Sequence, residues 1–501
     1  MQQERQQLTP VGYRPRLIEE RLDVLMRGFG CVEITGPKWC GKTWTALSRC
    51  ASVSKLDVRP EREAAQVDPS LALLGDTPHL VDEWQEVPEV WDAARRFVDD
   101  SGNRRGLLLL TGSTCLRKDE RDRLRHSGAG RIARLTMRPM TLAETGDSTA
   151  EVSLRSLFGG DAHVSFRRET GLRDVARWCC RGGWPANLGL EDDAAMETAG
   201  QYIQAVLDVN VIDEGRSSEL AFGLMRALAV NESQAVTYKT FSRDMGRASG
   251  RTSDETIASY LELFHRLYLT EDLCGWEPPM RAKARVRVKP KRYFVDPSLA
   301  VALLNATPER LSRDTQTLGM LFENLVLRDL RVFLSSYPGM GNTLSYYRDD
   351  TGLEVDVIVE HASRWAGIEI KLSDTKVGEG ATGVLAQRPG DQTGVQDGSA
   401  HVGDPSRHES GVPTGQVIQH DRFDAGCQKG PHDVRSDISG TAGDQPTHGF
   451  WVLSCDSGLA SSLVGTPGTS PAALAAPIRR PDHRLCQTMA RYPAPIATMA
   501  S

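Results

Sequence analysis

Between about Tyr13 and Glu144, short apolar runs alternate with stretches of helical spacing, the rhythm of strands and helices laid in turn on a parallel sheet. Residues 31–35 predict a buried strand, 43–50 a helix, and 107–110 and 132–135 two further strands. From about 154 to 226 the pattern is mainly helical, interrupted at 181–185 by RGGWP. In SDETIASYLELFHRLYLTEDL the residues Ile257, Tyr260, Leu261, Phe264 and Tyr268 recur at helical spacing. With Ser253 or Asp254 as cap, this predicts a core-facing helix. A helix pair followed by a strand and a basic arm suggests a winged helix-turn-helix. A helix from Thr317, with Leu318, Leu321, Phe322, Leu325 and Val326 on one face, then leads into strands at 344–347, 353–359 and 365–372. That is a second α/β unit.

After about Leu385 periodicity is lost, and lysine survives only as Lys429. Gly, Ser, Pro, Asp and Gln accumulate, together with His401, His408, His420, His432, His448 and His483. Such a segment buries too little apolar area to offset its ordering entropy, so 385–501 is expected to be a disordered or aberrant tail. The break falls inside what should be a folded domain, as it would if the reading frame had shifted.

The length of 501 residues suggests roughly three domains at about 150 residues each. The expected division is 1–150, a first α/β domain; 151–234, a helical connector; 235–300, a winged-helix-like module; and 301–384, a second α/β domain. A net charge of -6 argues against a chain that coats nucleic acid over its whole surface, while leaving room for a local basic patch. The ten cysteines show no metal-ligand spacing, and no run approaches the roughly 20 apolar residues that span a bilayer. The expectation is a cytoplasmic protein with reduced thiols and no membrane segment.

The string GPKWCGKT fits G-x-x-x-x-G-K-[ST], with Gly36, Gly41, Lys42 and Thr43 at the defining positions. A loop between a strand and a helix aims backbone N–H groups at the phosphates of ATP, Lys42 reaches the β- and γ-phosphates, and the Thr43 hydroxyl meets Mg²⁺. Downstream, HLVDEWQ supplies Asp82 for Mg²⁺ and Glu83 as the base that polarises the attacking water. In LLLLTGST, Thr111 and Ser113 are candidate γ-phosphate sensors, with strand-end turn chemistry as the other reading. Arg131, in HSGAGRIARLTMRPM, is the candidate arginine finger, in cis or toward a neighbouring subunit of a homo-oligomer; Arg125 and Arg134 are the alternatives.

These strings, with VDEWQEVPEVWDAARRFVD, MRPM and RGGWP, resemble bacterial ATP-binding proteins of the AAA type. FVDPSLA, TLGMLFENLVLRDLRVF, YYRDDTGLEVDVIVE and EIKL fit the second half of the same family, from about Tyr13 to Val384 overall. The resemblance implies a nucleotide-driven protein with a C-terminal region of uncharacterised function. In that region Glu354 and Asp356 share one strand face, as do Glu369 and Lys371. Asp on one strand and E-x-K on the next resembles a restriction-endonuclease-like fold, with Glu323 as an added ligand. Asp356, Glu369 and the Ile370 carbonyl offer hard oxygens to Mg²⁺, and Lys371 is placed to activate water. An acidic, solvated sheet face is the other reading. Because the strand that normally follows runs into the tail, the domain is expected to be unstable or inactive.

In RAKARVRVKPKR, Arg281, Lys283, Arg285, Arg287, Lys289 and Lys291 stand at every second position. As a strand, 281–292 presents them on one face, either to the phosphates of DNA or RNA or as a charged edge that blocks aggregation. The favoured function is an ATPase that drives or gates a nucleic-acid-associated module. The alternatives are an ATP-gated DNA-binding regulator without significant turnover and a Mg²⁺-dependent nuclease gated by its ATPase domain.

Overall fold

The computed structural model describes residues 8–372 apart from 115–123, 125–126, 151–152, 160–169, 247–251, 277–288, 338–342, 349–353 and 362–363, together with 418–420, 448–456 and 459–462. Helix α1 (Glu19–Gly28) leads into strand β1 (Cys31–Thr35), and helix α2 (Lys42–Leu47) follows the loop between them. Strands β2 (Ser52–Lys55) and β3 (His79–Asp82), helix α3 (Val90–Asp100), and strands β4 (Leu108–Gly112) and β5 (Ile132–Thr136) complete the unit. All five strands are parallel, in the order β2-β3-β4-β1-β5. Every residue of β1 and β4 is buried, as expected of interior strands of a parallel sheet, and the buried Glu33 in β1 is met by Arg134. Helix α2 is shorter than the spacing suggested. Beyond it the Ser48 hydroxyl donates to the Thr45 carbonyl at 2.8 Å, and the chain turns toward β2.

The middle of the chain holds α4 (Leu172–Arg181) and α5 (Asp192–Ala205), which runs on into a π-helical turn, Val206–Val211. Helices α6 (Ser218–Val230), α7 (Tyr238–Asp244) and α8 (Asp254–Arg266) follow. Ser253 caps α8 by accepting from the Thr256 N–H at 3.2 Å. Strands β6 (Thr270–Leu273) and β7 (Lys291–Phe294) pair antiparallel. Asp296 then caps α9 (Pro297–Leu303), accepting from the Ser298 N–H at 3.0 Å, with Pro297 at the first helical position.

Helix α10 (Thr315–Ser336) precedes β8 (Thr343–Arg348), β9 (Glu354–His361) and β10 (Arg364–Lys371), an antiparallel run. Three more strands join this sheet: β11 (Ile418–His420), β12 (His448–Asp456) and β13 (Leu459–Ser462). β12 lies parallel to β10, with Lys371 opposite Ser454. This corrects the expectation for 385–501 at those strands. HGFWVLSCD carries enough apolar and β-branched character to extend a sheet, and it supplies the strand thought missing beside β10. The rest of that segment lies outside the described residues.

One buried cluster runs from Val32 and Leu109 on the first sheet, through Trp178, Leu224 and Phe264 on the helices, to Leu318, Val357 and Ile370. The two sheets therefore share a core with the helices between them. No described helix is long and apolar enough to cross a membrane. Among the described residues Cys31, Cys40, Cys50, Cys179 and Cys180 are buried and Cys274 is exposed, and none of the six is in a disulfide.

Candidate functional site

The loop after β1 turns at two glycines, the first required by space and backbone and the second by its left-handed backbone. Gly36 has φ 142°, and a Cβ there would stand 2.0 Å from the Met137 carbonyl oxygen; Gly41, at φ 100°, opens α2. Between them the Lys42 ammonium donates to the Pro37 carbonyl at 2.8 Å, folded back onto its own loop. Because the sheet is parallel, the ends of β3 and β4 arrive beside this loop. The Thr43 hydroxyl donates to Asp82 Oδ1 at 2.9 Å, and the Thr111 hydroxyl donates to the same oxygen. Burial pushes the Asp82 carboxyl up, while these hydroxyls pull it the other way.

Next to it Glu83 takes a left-handed backbone at φ 53°, a conformation costing about 1–2 kcal/mol for a residue with a Cβ. Its carboxylate accepts from Ser113 Oγ at 3.0 Å and from the Gln85 amide. Trp39, within the loop, is also left-handed at φ 65°. Backbone strain of this kind concentrates where a structure holds groups for a ligand. The expected residues Gly36, Gly41, Lys42, Thr43, Asp82, Glu83, Thr111 and Ser113 thus meet at one end of one sheet.

Gly41, Lys42, Thr43, Glu83 and Ser113 line a cleft of about 1460 Å³ whose other wall comes from the helical region: Trp184, Pro185, Thr198, Gln201 and Arg266. Two of these residues belong to RGGWP, the string that breaks the helical pattern. Trp184 is packed, stacked on Tyr202 with centroids 5.3 Å apart and donating from Nε1 to Ser298 Oγ at 2.9 Å. Pro185, however, faces the phosphate loop, 3.5 Å from where a Cβ on Gly41 would be. Arg16 was also missed. Buried, it donates to the Cys40 carbonyl at 2.7 Å and the Arg138 carbonyl at 2.8 Å, and pairs with Glu144 at 2.9 Å. It ties the loop to the segment after β5. Tyr13, whose hydroxyl donates to Glu19 and lies 3.1 Å from Thr45 Oγ1, completes the rim. Only the nearby YRPR string could have signalled these two.

Arg131 does not reach this site within its own chain. It precedes β5, and the Cys31 N–H at the start of β1 donates to its carbonyl at 3.1 Å, so it stands at the end of the sheet away from the phosphate loop. Strands of this length put about 16 Å between the two ends. Its guanidinium pairs with Asp99 at 2.8 Å, and the structure does not bring it to the site in cis. Arg134 is occupied by Glu33 at 2.8 Å and stacks over Trp91; Arg125 lies outside the described residues.

A second constellation forms where α10 crosses β9 and β10. Lys371 Nζ lies 2.5 Å from Glu369 Oε1 and 3.3 Å from Asp356 Oδ2, and Asp356 Oδ2 also accepts from the Ile370 N–H at 2.8 Å. Glu323 accepts from the Tyr293 hydroxyl at 2.6 Å. Lys291 enters this cluster, 3.0 Å from Glu323 Oε1 and 2.6 Å from Glu354 Oε1. That corrects the reading of 281–292 as a single solvent-facing cationic face. Arg281, Lys283, Arg285 and Arg287 lie outside the described residues, and Lys291 turns inward because buried carboxylates are there to meet it.

Burial pushes Glu323 and Glu369 above the usual carboxylate range, the neighbouring lysines pulling the other way. Burial alone would lower Lys291, but Glu323, Asp356 and Glu354 outweigh it and hold the ammonium charged. Glu369 Oε2 is buried without a hydrogen-bond partner. Among the described residues no three His, Cys, Asp or Glu side chains stand ready to hold a metal; here two lysines stand among the carboxylates.

Residues 172–310 and 318–407 match two families described only as domains of unknown function, DUF8612 and DUF4143. The second match continues beyond the compositional break near Leu385. Two uncharacterized proteins, of Mycobacterium bovis and Mycobacterium tuberculosis, are each 25% identical over 354 residues, covering 69% of this chain and 70% of theirs. Among solved structures, a Walker-type ATPase of Pyrococcus abyssi aligns over 59% of this chain and 99% of its own, at 12% identity and a TM-score of 0.39. The Aeropyrum pernix ORC1 protein, solved in complex with DNA, aligns over 61% and 95% at 13% identity and a TM-score of 0.24. Residues 29–146 match the family described as AAA domain, and the phosphate loop, Asp82 and Glu83 on a five-stranded parallel sheet fit a P-loop ATPase domain of that type.

Proposed function

We propose that the chain binds ATP with Mg²⁺ in the cleft and hydrolyses it. The observation that carries this reading is the convergence of Thr43 and Thr111 on Asp82 Oδ1 beside the phosphate loop. Thr43 and Asp82 offer hard oxygens suited to Mg²⁺, which when bound neutralises charge developing on the phosphate oxygens. The Lys42 ammonium is free to leave the Pro37 carbonyl for the β- and γ-phosphates. Glu83, fixed by Ser113 and Gln85, is the base that orients and deprotonates the attacking water, and Ser113 is placed to report on the γ-phosphate. The Arg16 clamp and the Pro185 wall hold the loop in register.

Steady-state hydrolysis with Mg²⁺ tests this. Wild type should turn over ATP, Lys42→Ala should lose binding, and Glu83→Gln should bind but not hydrolyse. If wild type binds through Lys42 without turnover, even with DNA present, the chain is instead an ATP-gated regulator.

The second constellation supports a further reading, in which turnover in the cleft gates a nuclease-like site acting on DNA or RNA. It has Asp356 on one strand and Glu369 and Lys371 on the next, with α10 supplying Glu323. Asp356, Glu369 and Glu323 would hold Mg²⁺, with the Lys371 ammonium beside them to orient the attacking water. The helices α6 to α8 followed by the β6–β7 ribbon favour a winged-helix-like carrier for that module. We place the protein in the cytoplasm, and a homo-oligomer is the setting in which Arg131 would act on a neighbour's nucleotide.

A further inference from the structure

The carboxylate cluster is built around an ammonium where a nuclease-like site would hold a metal. Lys291 reaches it from β7, a strand of the two-stranded ribbon and not of the sheet that carries Asp356 and Glu369. Its side chain is 4% exposed, and Nζ lies 3.0 Å from Glu323 Oε1, 2.6 Å from Glu354 Oε1 and 3.8 Å from Asp356 Oδ1. Its outer side meets the ring of Tyr346, 5.3 Å from the centroid. The ammonium is thus enclosed by three carboxylates and an aromatic face, with no water-facing side of its own.

We propose that Lys291 occupies the divalent-cation position of the cluster, so that the site takes Mg²⁺ or Mn²⁺ only when this ammonium is displaced. The inference rests on the nuclease-like reading of the same residues. Four carboxylates, Glu323, Glu354, Asp356 and Glu369, face two ammonium groups, Lys291 and Lys371, in a largely buried pocket. Glu369 Oε2 is the matching vacant donor: the residue is 6% exposed, and that oxygen has no hydrogen-bond partner. An ammonium and a divalent ion cannot share Glu323 and Asp356 at these separations, since like charges a few ångström apart in a dry pocket repel strongly. Metal and Lys291 are therefore alternative occupants. The position of β7 decides which is present.

Mn²⁺ binding to the nucleotide-free full chain, followed by electron paramagnetic resonance, tests this without reference to activity. Lys291→Met should bind one Mn²⁺ at least tenfold more tightly than wild type, and its melting temperature should rise with added MnCl₂ where that of wild type does not. Adding Glu369→Gln to Lys291→Met should abolish the gain. Lys291→Gln, which keeps a donor toward Glu323, gives the same comparison if the methionine variant does not fold. If wild type binds Mn²⁺ as tightly as the folded variants, Lys291 is no competitor and this inference fails while the nuclease-like reading survives. If no folded variant binds Mn²⁺, both fail together.

Discussion

Arg328 lies at the junction of all three segments, and its removal should be felt in each. Its guanidinium, 2% exposed, reaches Asp296 at 2.9 Å and Asp329 at 2.7 Å. Asp296 in turn accepts from the Gly183 N–H of the RGGWP loop at 2.9 Å, and Asp329 from the Leu142 N–H after β5 at 3.0 Å. Arg328→Met keeps the apolar stem but leaves two buried carboxylates without their cation, a loss of about 3–5 kcal/mol. The two carboxylates are not equally exposed to this. Asp296 keeps three donors, the N–H groups of Gly183 and Ser298 and the Ser298 hydroxyl, whereas Asp329 keeps Leu142.

Burial already pushes Asp329 up to about 6, with Arg328 pulling it down. Once the arginine is gone, Asp329 escapes by taking up a proton. A carboxyl whose folded pKa exceeds its unfolded one binds protons preferentially in the fold, so its stability contribution falls as pH rises between the two values. The deficit of Arg328→Met should therefore be smaller at pH 6 than at pH 8, by up to about 1.4 kcal/mol per pH unit. Arg328→Met with Asp329→Asn should recover stability at pH 8. Urea unfolding followed by circular dichroism at both pH values measures each quantity. A loss under about 1 kcal/mol at pH 8, or no recovery in the double variant, would refute the argument.

Three further outcomes follow from single residues. Glu232 is pushed up to about 8 by burial, against hydrogen bonds from the Phe294 N–H and the Asn324 amide. It is neutral in the fold and charged when unfolded between pH ~4.5 and 8, so wild-type stability should fall as pH rises across that window. Glu232→Gln should flatten that slope, as thermal melts at pH 5, 7 and 8.5 would show; an unchanged slope would place the titrating group elsewhere. Gly183→Ala would put a Cβ 2.1 Å from the Met140 carbonyl oxygen, a backbone atom that cannot step aside. It should cost about 1–3 kcal/mol or more and weaken nucleotide binding by moving Pro185 from Gly41. Gly200→Ala, within α5 with nothing within 4 Å of the new Cβ, should instead be neutral or stabilising by about 0.5–1 kcal/mol.

The phosphate loop was legible because its chemistry is contiguous: two glycines, a lysine and a threonine within eight residues need only a strand before and a helix after. Asp82, Glu83 and Thr111 were legible as strand ends, since parallel strands deliver their C-terminal ends to one side. The same logic, applied to a residue that precedes a strand, would have put Arg131 on the far side. Lys291 was hidden for a different reason. An alternating row of cations reads as a solvent face, but β7 is four residues long and the carboxylates that draw Lys291 inward belong to a helix and strand far along the chain. Arg16 and Pro185 lie in the short strings YRPR and RGGWP, but neither string says what it will touch; their roles exist only once the loop after β1 has neighbours. HGFWVLSCD was hidden by the composition around it, which averages away a nine-residue strand.

The uninterrupted core from Val32 to Ile370 limits what kind of motion nucleotide turnover can drive. A swing of separate lobes about a flexible joint would have to open packed apolar surface to water, at a cost rising with every side chain exposed. Sliding of packed helices past one another by an ångström or two keeps that surface covered, which makes shear the cheaper transmission. Two consequences can be observed from outside. Limited proteolysis should not release the P-loop unit as an independent fragment. Probes placed on the two sheets should report small correlated displacements during turnover, with no large change in the distance between them.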